Sequence, residues 1–127
     1  MTREHIMTPD AFSSLATRLS PAVKSHRVLD TVQFRLGGRA FATLGWPEAG
    51  RAVVKLSLKD QAAALALSDA VSVDASRPRN SGLTLIRLER IDDDAMAYIL
   101  TAAFSEAYAK AARSQPARGR AATLGVG

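Results

Sequence analysis

The chain has 127 residues, 47% of them apolar and 23% charged, which is enough for one hydrophobic core and too little for two ordinary ones. It has no cysteine, which removes disulfides, thiolate nucleophiles and thiolate metal sites, and no apolar run approaches the roughly 18 residues that a membrane span needs. Seventeen Lys and Arg against twelve Asp and Glu leave a net charge of +5, and thirteen of the seventeen are Arg.

Residues 1–7 show no apolar stretch before a small-residue cleavage site, so they read as a flexible leader rather than a secretory signal, and a reducing cytoplasm is the expected home. Thr8-Pro9-Asp10 reads as a helix start: Thr caps, Pro suits the first helical position and Asp meets the positive helix end. Phe12, Leu15, Ala16 and Leu19 then fall on one face, and Ser20-Pro21 stops the helix. Thr31 to Leu36 alternates, with Val32, Phe34 and Leu36 on one side. Gly37-Gly38 between alternating runs signals a two-residue hairpin, which would pair Leu36 with Arg39 and Phe34 with Phe41. Gly45 to Gly50, holding Trp46 and Pro47, is a longer turn before a strand over Arg51 to Leu56.

Ser57 is placed to cap a second helix, roughly Leu58 to Ser68, whose expected buried stripe is Ala62, Leu65 and Ala66. Val71 to Val73 is a short strand candidate, Asp74 to Gly82 a loop rich in turn formers, and Leu83 to Arg90 a strand. Asp92 or Asp93 opens the last helix, with a stripe of Met96, Ile99, Leu100, Ala103, Phe104 and Ala107. From Ala112 onward periodicity ceases, so a single domain over residues 8–112 and a disordered basic tail over 113–127 are expected. The order α-β-β-β-α-β-β-α implies an α+β fold: an antiparallel sheet of four to five strands covered on one face by three helices.

The charge is segregated. From Arg18 to Lys59 there are eight bases and two acids, while Asp92-Asp93-Asp94 concentrates acid elsewhere. With Phe34, Phe41, Val54, Leu56, Ile86 and Leu88 inward, the opposite face displays Gln33, Arg35, Ala40, Ala42, Arg51, Val53, Lys55, Leu85 and Arg87. Such a face contacts phosphates, or else serves as a solvated surface whose cations prevent association. Arg35, Arg39, Arg51, Lys55, Arg77, Arg79 and Arg87 are the candidate phosphate contacts, and Trp46 is the candidate stacking residue, the alternative for it being packing over the sheet end.

Motifs for catalysis are missing from the sequence. There is no Gly-x-Ser-x-Gly elbow and no P-loop, and Gly37-Gly38 is better explained by the hairpin. His5 and His26 have no partner at metal-ligand spacing, and the three aspartates suit a helix start without any cation. No enzyme, metal or cofactor is expected.

The run Phe34-Arg35-Leu36-Gly37-Gly38-Arg39-Ala40-Phe41-Ala42, followed by Val53-Val54-Lys55-Leu56, by Gly82-Leu83-Thr84-Leu85-Ile86-Arg87-Leu88 and by Ala107-Tyr108 in a closing helix, resembles the MmcQ/YjbR family from about Thr8 to Ala112. The resemblance implies a frataxin-like (CyaY-like) α+β fold. It also implies DNA binding; taken with the basic face and the missing catalytic motifs and membrane spans, the expectation is a small non-enzymatic protein that contacts the phosphate backbone with low sequence specificity, as a monomer and away from membranes. A protein-interaction or small-molecule-binding module is the alternative. Leu83 stands where the family often has tryptophan, and the first helix and strand lack the acidic ridge by which frataxins handle iron, so iron delivery is disfavoured.

Overall fold

A computed structural model describes residues 7–73 and 81–114. Helix α1 spans Pro9–Arg18, and four strands follow: β1 Lys24–Val28, β2 Thr31–Leu36, β3 Arg39–Leu44 and β4 Arg51–Lys55. Helix α2 is Leu58–Leu67, strands β5 and β6 are Val71–Val73 and Leu83–Arg87, and a 3-10 turn over Leu88–Arg90 leads into the long helix α3, Asp93–Ser114. The six strands form one antiparallel sheet in the order β1-β2-β3-β4-β6-β5. The architecture is therefore α+β with three helices, and the sheet has six strands rather than four to five.

The helix starts obey local chemistry. The Thr8 hydroxyl accepts from the Ala11 N–H at 3.0 Å, the Ser57 hydroxyl from the Asp60 N–H at 3.1 Å, and an Asp92 carboxylate oxygen from the Ala95 N–H at 2.8 Å. Asp92 thus belongs to a helix cap. Helix α3 packs on β2, β3 and β4 as well as on α1 and α2, and its buried stripe follows the sequence pattern, with Met96, Ile99, Leu100 and Ala103 fully enclosed. Phe12 of α1 meets Phe34 of β2 at 5.8 Å between ring centroids, and Phe41 of β3 meets Phe104 of α3 edge-on at 6.0 Å. Met7, placed in the leader by the sequence, is part of this core, and its N–H donates to the Leu88 carbonyl at 3.1 Å.

Four local expectations change. Strand β1 lacks an apolar alternation because all five of its residues are exposed, and a turn at Leu29-Asp30 joins it to β2 with Leu29 in the left-handed region. A bulge between Phe34 and Arg35 alters the hairpin: Leu36 faces Arg39 as expected, but Phe34 faces Ala42, and Phe41 is the extra residue. Both phenylalanines still point into the core, and Ala42 joins them instead of lying on the outer face. Finally, α2 buries Gln61 and Ala64, leaving Leu65 and Leu67 exposed. The Gln61 amide donates to the Leu83 carbonyl at 3.2 Å and to the Thr84 hydroxyl at 3.0 Å, and that hydroxyl donates to the Gly82 carbonyl at 3.1 Å. An alanine-rich helix offers no distinct apolar stripe, so the hydrogen bonds to β6 decide which side faces the sheet.

Candidate nucleic-acid interface

The helices cover one face of the sheet, and on the other face the register lines up side chains across strands. One row runs His26, Gln33, Thr43, Val53, Leu85, Ser72 from β1 to β5. It contains no Arg, Lys, Asp or Glu, and Val53 in its middle is only 8% exposed although none of the three described helices lies over it. A cleft of about 380 Å³ opens there, floored by Thr43 and Val53, with Leu83 on one side and Val28, Leu29 and Trp46 on the other. Trp46, in the turn between β3 and β4, keeps 38% of its surface exposed, and Leu29 keeps 89%. The centre of the open face is thus neutral and partly apolar rather than continuously basic.

The cations flank it. Toward the Gly37-Gly38 hairpin, Arg35 of β2 lies opposite Lys24 of β1. The Arg35 guanidinium is held along the face by the Gln33 side-chain carbonyl, which accepts from Nε at 3.0 Å and from Nη2 at 2.6 Å. Arg carries five N–H donors, so three remain for a ligand. At the other end of the face, Arg51 of β4 lies directly opposite Arg87 of β6. Like charges in direct cross-strand register repel, and an anion between them relieves that cost. Glu48 supplies part of the relief, its carboxylate 3.4 Å from the Arg51 guanidinium. Four residues of strand separate the Arg35 and Arg51 rows, about 13 Å at the usual rise.

The remaining candidates lie at the edge of this face or elsewhere. Arg39 lines a cavity beside α3, on the side where its cross-strand partner Leu36 is buried. Lys55 keeps the outward phase expected for it, opposite Leu83 of the cleft, and at the edge of the sheet it also lines that cavity. Arg77 and Arg79 lie outside the described residues. Of the eight candidates, the open face therefore gathers Arg35, Arg51, Arg87 and Trp46, with Lys55 at its edge. Sequence reasoning missed Lys24 and the Val28-Leu29 wall of the cleft, because β1 has no apolar period to announce it. The faint signal is the β-branched Val28 and the turn at Leu29-Asp30, immediately before a run that pairs with this segment.

No family model, curated protein or solved structure matches the chain. Among the described residues, no helix is long and apolar enough to cross a membrane.

Proposed function

We propose that this is a non-enzymatic DNA-binding protein of MmcQ/YjbR type, acting in the cytoplasm, which takes an extended single strand across its open sheet face. Phosphates meet Arg35 with Lys24 at one end and the Arg51–Arg87 pair at the other, and unpaired bases occupy the neutral cleft against Trp46. The observation that carries this reading is the alternation itself: cation, neutral cleft with an indole wall, cation, along one uncovered surface. Stacking on an aromatic ring requires a base freed from its pair, so the arrangement favours a single strand over a duplex. Phosphate contacts bring affinity without sequence information, which fits low specificity.

Fluorescence anisotropy with one labelled oligonucleotide, single-stranded and then annealed to its complement, tests the proposal. The single strand binds more tightly, and four phosphate contacts make its affinity fall roughly 50-fold between about 50 and 200 mM salt. Trp46 is the only tryptophan, so its emission reports occupancy of the cleft directly. The double substitution Arg35→Glu/Arg87→Glu abolishes binding. Absence of binding at low salt, or indifference to the double substitution, rejects the reading.

A further inference from the structure

The bulge in β2–β3 has a second product on the helix side of the sheet. It places Phe41 beside Ala42 in the core and leaves Arg39 at the rim next to α3. A cavity of about 310 Å³ lies between that rim and the helix, at the lower end of the range for ligand sites. Its floor is apolar: Phe41, almost wholly enclosed, with Ala103 and Ala107 one helical turn apart on α3. The space exists because those two positions are alanine, where larger side chains would fill it. Its rim is cationic. Among the described residues that line it, Arg39, Lys55 and Lys110 stand with one carboxylate, Glu106, whose oxygen lies 3.7 Å from Lys110 Nζ. Among the described residues, neither Arg39 nor Lys55 takes part in an ion pair, so two cations without a carboxylate partner among those residues stand above an apolar floor.

We infer that this cavity binds a small organic carboxylate with an apolar body of about one ring, its carboxylate held by the Arg39 fork with Lys55 beside it and its body on Phe41, Ala103 and Ala107. Guanidinium matches carboxylate geometry with two parallel hydrogen bonds, and an apolar floor adds affinity that a free inorganic anion cannot collect. The inference does not depend on nucleic-acid binding, since Arg35, Arg51, Arg87 and Trp46 do not line this cavity.

Two-dimensional NMR of the full chain, titrated with benzoate at millimolar concentration, tests it, with hexanoate as a second carboxylate. Benzyl alcohol keeps the ring and loses the charge, and inorganic phosphate keeps the charge and loses the ring. Benzoate is expected to give saturable amide shifts at Ala40, Ala103 and Ala107, and both controls to give weak, non-saturating ones. Arg39→Gln weakens benzoate roughly tenfold, the loss of a charge-assisted pair. Ala107→Leu, at a half-buried helical position that tolerates a larger side chain, fills the cavity and abolishes the saturable shifts, whereas Arg35→Glu on the open face leaves them unchanged. Failure of both carboxylates to give saturable shifts overturns the inference. So does phosphate binding as tightly as benzoate, or benzoate affinity that survives both Arg39→Gln and Ala107→Leu.

Discussion

The two faces of the sheet are built from the same strands but answer to different surroundings. On the covered face, Phe34, Ala42, Val54, Ile86 and Thr84 are shut off from solvent, and each has a neighbour on a helix or an adjacent strand that leaves little freedom of size or phase. On the open face, Gln33, Thr43, Leu85 and Arg35 are half-buried, and only Val53 is enclosed. Burial of one face determines which residues appear on the other, because a one-residue slip would exchange them. The outward side chains are thereby displayed in a defined pattern without having to hold the fold together. Substitutions on the covered face should be read out in stability, and those on the open face in binding.

The largest effect is expected at Phe34, fully buried and in ring contact with Phe12. Phe34→Ala should cost about 3–5 kcal/mol in urea unfolding, a large part of what a single domain possesses. A loss below about 1 kcal/mol would break the contrast between the faces. Gly82→Ala comes next. Gly82 has φ +77°, its carbonyl accepts the Leu56 N–H at 2.9 Å, and a Cβ there would lie against the Leu56 carbonyl oxygen, so the backbone must move. Strain together with a weakened hydrogen bond should cost about 2–4 kcal/mol. Gln61→Leu leaves the Leu83 carbonyl without its donor and should cost about 1–3 kcal/mol. Combined with Thr84→Val, the pair should cost less than the sum of the two single changes, because the network is removed whole.

How legible the molecule is from its sequence follows the same division. Helices α1 and α3 and strands β2, β4 and β6 announce themselves, because a large apolar residue recurs at the period of the element and a capping or turn residue stands at its start. Strand β1 does not: Lys24-Ser25-His26-Arg27-Val28 buries nothing, so no hydrophobic period marks it, and only pairing with β2 makes it a strand. The bulge was equally silent, since Phe41 and Ala42 are both apolar and either satisfies the covered face. Part of the candidate site follows from phase alone: Arg35, Arg51 and Arg87 lie where alternation puts them. Arg39 does not join them, because it faces Leu36 on the covered side, whereas Lys55 keeps its outward phase opposite Leu83 and stands where the edge of the face meets the cavity beside α3. The cleft at Trp46 is a product of tertiary structure, since it brings together the β1–β2 turn, the β3–β4 turn and β6, which no short-range pattern connects.

The smallest expected effect is the sharpest test of the open face. Glu48 is exposed and Arg51 half-buried, 3.4 Å apart, and such surface pairs contribute little, so Glu48→Gln should change stability by less than about 0.5 kcal/mol. Its effect on DNA binding should run in the opposite direction to an ordinary disruptive change. Removing the carboxylate releases the Arg51 guanidinium toward its neighbour Arg87 and takes a negative charge away from the proposed phosphate path. A gain of roughly two- to fivefold in affinity at low salt is expected, shrinking as salt screens it. Anisotropy measured beside thermal unfolding separates the two quantities. If affinity falls while stability holds, the Arg51–Arg87 end does not meet phosphate, and the strand must cross the sheet by another path.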